Sequence, residues 1–454
     1  MDRAFEYIEA NRERFLEELK GFVRQPSISA TGEGVEACAR LLKQLMENIG
    51  VETRAIEGYG HPMLYGEMTA PDAERTVLVY GHYDVQPPDP LSEWVSPPFE
   101  PVVRNGKLYG RGTGDNKGQL FAQLKGVESV VQALGQVPVN VKFYFEGEEE
   151  VGSRHVGSFV RDHKEMLSCD LVYCSDGHQM FGEQMEVVFG VRGMLYVEME
   201  AKGPNRDLHS GNYGGWADSP AERLGRLIGK LKDEKNRVLI PGFYKGVPEP
   251  SSADLEAISQ LPLSEADLVA DLGMEAIAGD PEVPYLHKRM FEPTLNVNGF
   301  RGGYTGEGMK TIIPASATMK IDMRLVVPQS PDDLFEKLKA YLQAIGYGDL
   351  EVRKLGQMKP WRTGLDDPMT DRVCRAVEQG FGSSPYRVPS LGGSLPLAEF
   401  TQLPGATVIL VPYGQPVRTI THPTSVLQWI IFSREHARWR PCWERWGFEV
   451  VVGC

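Results

Sequence analysis

The stretch Thr76-Val77-Leu78-Val79-Tyr80-Gly81-His82-Tyr83-Asp84 decides the fold. A short apolar run that stops at Gly-His-x-Asp reads as a buried strand delivering polar side chains at its end. Working outward, residues 115–134 carry a helical pattern, residues 139–145 (Val-Asn-Val-Lys-Phe-Tyr-Phe) form a second strand and residues 170–174 a third. Strands alternating with helices predict an α/β fold with a mostly parallel sheet, whose ligands gather at the carboxyl ends of the strands. Towards the amino terminus, helical patterns flank a Pro26-Ser27-Ile28-Ser29 turn.

Beyond residue 187 the texture changes. Residues 195–201 and 315–326 alternate like half-exposed strands, and residues 220–232 and 331–345 read as amphipathic helices. This is the α+β pattern of an inserted domain. The expected organisation is a first segment 1–189, an inserted smaller domain 190–355 and a second segment 356–454 that returns to the first domain, with a strand at 406–411. The Asp, Glu and Pro-rich residues 248–284 read as a surface excursion of the insertion.

The chain has 454 residues with a formal charge of −14, 49 Gly and 32 Pro. That excludes a disulfide-stapled miniature, and its field repels phosphate backbones and anionic membranes, so no nucleic-acid or membrane partner is expected. No apolar run approaches ~18 residues and the first twenty residues lack an apolar core, so a cytoplasmic protein is expected. The six cysteines, at 38, 169, 174, 374, 442 and 454, contain no Cys-x-x-Cys pair and read as reduced thiols.

Three strand ends offer metal-binding chemistry. Asp84, two residues past His82, can reach back to one imidazole nitrogen and leave the other for a metal. The loop Gly110-Arg111-Gly112-Thr113-Gly114-Asp115-Asn116-Lys117-Gly118 opens a helix, but Asp115 would repel phosphate and the P-loop spacing is missing, so Asp115 reads as a cation ligand or a plain helix cap. Glu146-Gly147-Glu148-Glu149-Glu150 crowds carboxylates at a strand end, and Asp176 follows the next strand. Divalent cations would relieve that repulsion, and nitrogen with oxygen ligands suits zinc, cobalt or manganese.

With these motifs quoted, the chain resembles the dinuclear-zinc hydrolases that include cytosolic dipeptidases of the carnosinase type, carboxypeptidase G, aminoacylases and succinyl-diaminopimelate desuccinylases. The resemblance spans about residues 6–416 and is closest to the cytosolic non-specific dipeptidase branch. Further matching segments are Asp207-Leu208-His209-Ser210-Gly211, Lys310-Thr311-Ile312-Ile313-Pro314, Met323-Arg324-Leu325 and Gly392-Gly393-Ser394-Leu395-Pro396. It implies two divalent ions, zinc or alternatively manganese or cobalt, held by His82 and Asp176 on one side and Glu150 on the other, with Asp115 bridging. It further implies Glu149 as general base towards metal-held water, Asp84 as the partner of His82, and His209 reaching a partner subunit's site to stabilise the oxyanion, so a homodimer. Arg324 and Ser394, with Thr311, would bind the substrate and its free carboxylate. Adjacent residues at a strand end point apart, which would let Glu150 face a metal while Glu149 faces the cleft.

The implied reaction is hydrolysis of dipeptides or short peptides, the alternatives being an N-acyl-amino-acid deacylase or desuccinylase, or a catalytically silent dimeric homologue. The last arises because the family's carboxy-terminal His motif is replaced by Val417-Arg418-Thr419-Ile420-Thr421-His422-Pro423-Thr424-Ser425. Codons permitted for these residues, read from the third base of the first, can spell Pro-Asp-Asn-His-Ala-Pro-Asn-Glu, which resembles the missing motif. Residues 417–454, rich in Trp and Arg, therefore read as frameshifted, in the gene or its sequencing; His422 is available there as a metal ligand, though its neighbours differ from the motif.

Overall fold

The computed structural model describes residues 2–414 other than Glu183, and the backbone of Val426–Gln428. Its main sheet has eight strands. At its heart Thr76–His82 lies between Asn140–Glu146 and Leu171–Cys174, parallel to both, and Thr407–Leu410 extends the parallel set beside Leu171–Cys174. Strands buried on both faces must be apolar throughout, and Val77, Leu78, Val79 and Tyr80 are at most 1% exposed. On one face the helix Lys117–Leu134 lays Leu120, Phe121, Leu124 and Val127 on the sheet, together with Arg12–Arg24 and Val35–Asn48. It stops at Gly135, whose φ of +82° is the left-handed cap that glycine adopts without a Cβ clash.

Pairing in the sheet sets the levels of the strand ends. His82 lies opposite Glu146, and Tyr80 opposite Cys174, so two more residues bring Asp176 level with His82. Parallel pairing thus turns three separate sequence motifs into neighbours on one edge.

A second sheet is antiparallel, in the order Thr294–Gly302, Ser316–Leu325, Gly193–Lys202, Glu351–Met358. Leu195, Val197 and Met199 alternate inward against the helices Pro220–Leu231 and Pro331–Ala344, making a hydrophobic core of its own. Ser219 and Ser330 cap these helices, each with Pro at the first position, where a missing N–H costs nothing.

Residues 248–284 are mostly exposed, but Asp254, Ala257 and Leu261 are buried, and the helix that follows is anchored too. Helices Ser252–Ser259 and Tyr285–Phe291 run back to the main sheet, where Leu261, Met290 and Phe291 are buried with Val388, Leu391 and Phe400. Asp254, 3% exposed, is ion-paired with Arg362. The segment is a strap joining the two cores, anchored by a few apolar residues that its polar composition conceals. No helix among the described residues is long and apolar enough to cross a membrane.

Candidate metal centre

His82 and Asp84 are completely buried. The His82 Nδ1 lies 3.2 Å from Asp84 Oδ1 and 3.1 Å from the Asp84 carbonyl oxygen, so this nitrogen carries the donated proton. The opposite nitrogen, Nε2, is then a lone-pair donor 3.2 Å from Asp115 Oδ1 and 3.4 Å from Asp176 Oδ2. His82, Asp115 and Asp176 each offer one atom within 4.8 Å of the others.

Asp115 comes from the glycine-rich loop, just ahead of the helix cap Asn116. Asn116 Oδ1 accepts the His82 amide at 3.2 Å and so ties that loop to the strand. Gly81 allows this approach: a Cβ there would stand 2.8 Å from the same oxygen. Asp115 is therefore not itself the helix cap.

The glutamate run divides into two jobs. Glu146 is buried and accepts Tyr80 Oη at 2.6 Å and Ser153 Oγ at 2.7 Å, while Glu148 contacts His155 Nδ1 at 2.5 Å. Those two belong to the scaffold. Glu149 and Glu150 form a short 3-10 turn rather than an extended strand end, so alternation does not aim them. Asp84 does: its Oδ1 accepts the Glu149 amide at 3.2 Å and its Oδ2 the Glu150 amide at 3.1 Å. One buried carboxylate orients both the imidazole and the turn, a second use of Asp84 that spacing from His82 did not reveal.

Charge at this corner is unbalanced. Among the described residues no Lys or Arg is ion-paired with Asp84, Asp115, Glu149, Glu150 or Asp176; His82 pairs with Asp84, Asp115 and Asp176, and Arg111 acts on Asp115 and Glu150 from farther away. Burial, with Asp176, Glu150 and Asp115 adding to it against His82, pushes the Glu149 carboxyl well above the ordinary range. Burial and Asp115 push Glu150 up to about 8. Burial alone would lower His82, yet Asp176, Asp115 and Asp84 together raise it well above its usual value. Crowded acids around one imidazole suit a divalent cation, and their nitrogen and oxygen donors fit a hard or borderline one.

The other expected residues fall into separate groups. Glu150 is not in the convergent triad, and its Oε2 accepts Gln86 Nε2 at 2.8 Å. Arg324 Nη1 donates to Ser394 Oγ at 2.9 Å, uniting two residues that sequence placed seventy positions apart. His209 and Thr311 meet on a two-stranded ribbon, with Oγ1 3.3 Å from His209 Nε2, and His209 Nδ1 accepts the Gly211 amide. Both are exposed, and neither hydrogen bond leads to the His82 corner. His422 lies outside the described residues.

Comparison with known proteins identifies the family. The chain is 33% identical to an M20 family metallo-carboxypeptidase from Sulfolobus solfataricus, with a TM-score of 0.85 over 92% of this chain and 95% of that one. It is 27% identical over 444 residues to human beta-Ala-His dipeptidase, covering 91% of this chain and 86% of that protein. It is 28% identical over 439 residues to the Cys-Gly metallodipeptidase of Schizosaccharomyces pombe, covering 91% and 92%. A family model described as Peptidase family M20/M25/M40 matches residues 78–425, and the chain belongs to that peptidase family.

Proposed function

We propose that this chain is a metal-dependent exopeptidase that hydrolyses dipeptides. The observation that carries the reading is the convergence of His82 and Asp176, delivered by neighbouring strand ends, with Asp115 from the glycine-rich loop, beside a Glu149–Glu150 turn suspended from Asp84. His82, Asp115, Glu150 and Asp176 would hold two divalent ions, with Asp115 between them, zinc being the leading candidate and manganese or cobalt also suited. Such ions supply Lewis acidity towards the scissile carbonyl and towards water.

The protein's own groups do the rest. Glu149 accepts a proton from the attacking water as the new C–O bond forms, and returns it to the amine nitrogen as the C–N bond breaks. Arg324 and Ser394 hold the substrate's free carboxylate by charge-assisted hydrogen bonds, which restricts cleavage to the end of a chain. His209 and Thr311, exposed and bonded to each other rather than to the His82 corner, act in a second copy's site, so the working unit is a homodimer of chains whose residues 190–355 form the dimerisation domain. Four buried unpaired thiols, Cys38, Cys169, Cys174 and Cys374, fit a reducing compartment such as the cytoplasm.

The similarity to a metallo-carboxypeptidase favours a second reading, removal of one carboxy-terminal residue from longer peptides. Metal analysis and a substrate panel test both. Two ions per chain and fastest turnover of free dipeptides support the first reading. Faster turnover of tetrapeptides supports the second, and preference for N-acyl amino acids, or no activity in metal-loaded protein, overturns both.

A further inference from the structure

Near the loop after Asp176 lies a second concentration of like charge, this one positive. Arg192 follows the short strand Gly190–Val191, Arg289 sits on the strap helix Tyr285–Phe291, and Arg324 is near the end of Ser316–Leu325. All three meet at the turn Gly392-Gly393-Ser394. The Arg192 Nε donates to the Gly392 carbonyl at 3.2 Å, and its backbone amide to the Gly393 carbonyl at 3.0 Å. A Cβ on Gly392 would lie 3.4 Å from Arg192 Nη2 and 3.4 Å from Arg289 Nε, so both guanidiniums flank this one residue.

Their charge is not balanced. Arg324 Nε is 3.0 Å from Asp322 Oδ2, but among the described residues neither Arg192 nor Arg289 forms an ion pair. Glu186 faces Arg289, yet its Oε1 is taken by the amides of Met180, at 2.5 Å, and Phe181, at 2.7 Å. Burial pushes the Glu186 carboxyl up to about 7 despite Arg289, and burial, with Arg324 and Arg289, lowers Arg192 to about 10. Guanidiniums left partly buried without a counter-ion are costly, and their planar forks match carboxylates.

The cluster is within reach of the metal corner. Arg289 Nη2 lies 2.7 Å from Met180 Sδ, and Met180 is four residues beyond Asp176, a span of at most ~14 Å.

We propose that Arg289 and Arg192 form a second carboxylate subsite beside Arg324 and Ser394, so that the preferred substrate has an acidic residue at its carboxy terminus. This rests on the reading of Arg324 and Ser394 as the clamp for the free carboxylate, and it adds a selection that neither residue makes alone. The substrate class is a dipeptide ending in Glu or Asp, whose two carboxylates meet three guanidiniums already partly offset by Asp322.

The test compares kcat/KM for Ala-Glu and Ala-Gln, equal in size and different in charge, on the metal-loaded full chain. Ala-Glu is expected to win by about 10-fold or more, the worth of one charge-assisted hydrogen-bond pair. Arg289→Gln should bring the ratio close to one, and Arg289→Lys should leave it intermediate. A wild-type ratio near one, or a ratio that survives Arg289→Gln in protein with an unchanged melting temperature, overturns the subsite. Should Arg289→Gln fail to fold, product inhibition of the wild type decides: free glutamate should bind about 10-fold tighter than glutamine, and equal inhibition overturns the proposal. If neither dipeptide is cleaved, the exopeptidase reading itself falls.

Discussion

The acidic corner around His82 and the basic corner around Gly392 are built in opposite ways. The first takes its groups from adjacent parallel strand ends, and a single buried side chain, Asp84, fixes both the imidazole and the Glu149–Glu150 turn. The second takes its groups from four distant segments, one of them on a strap held to the main core by Leu261, Met290, Phe291 and the Asp254–Arg362 pair. Strand ends in register hold positions rigidly, as a metal-binding corner demands. A corner assembled from separate segments can change one contributor without disturbing the others, which suits the part of a site that sets specificity.

The acidic corner should fail most sharply where its chemistry is concentrated. Glu149→Gln keeps the shape and removes the proton acceptor, so kcat should fall about 10^3-fold, or ~4 kcal/mol, with metal content unchanged. Retained turnover would move the base elsewhere. Asp84→Asn is the next blow. An amide in place of the carboxylate opposes an N–H group to the Glu149 or Glu150 amide, so metal affinity should drop about 10- to 100-fold. An unchanged affinity, read by competition with a chelator, would mean that Asp84 does not organise this corner.

The same contrast explains what could be read from sequence. Acids placed directly after apolar strands announce a sheet edge, so His82, Asp84, Glu149, Glu150 and Asp176 were legible as a group, and Asp115 joined them from a glycine-rich loop that lacks phosphate-binding spacing. Their division of labour was not. Within the glutamate run nothing local distinguishes Glu146, which is bonded to Tyr80 and Ser153, from Glu149, because the distinction arises from a 3-10 turn hung on Asp84. Arg324 and Ser394 were legible only as matches to a family's motifs. Arg192 and Arg289 stand in no motif, and their meeting depends on the strap, whose return to the main core rests on a handful of apolar residues in a polar stretch.

Between the two corners lies Glu186, which sharpens the comparison by the smallest of these effects. It is fully buried, its Oε2 has no hydrogen-bond partner, and burial raises its carboxyl from the usual 4.5 to about 7. A carboxyl raised in this way holds its proton more tightly folded than unfolded. Its contribution to stability is therefore fully present below about pH 4.5 and is lost as pH rises through about 7. Glu186→Gln keeps an oxygen for the Met180 and Phe181 amides and cannot ionise. The wild type should thus lose about 1–2 kcal/mol between roughly pH 5 and 7 that the variant keeps, read as the difference between their denaturant midpoints across that window. Parallel curves would mean that Glu186 is already charged when folded, and that Arg289 has the counter-ion its corner otherwise lacks.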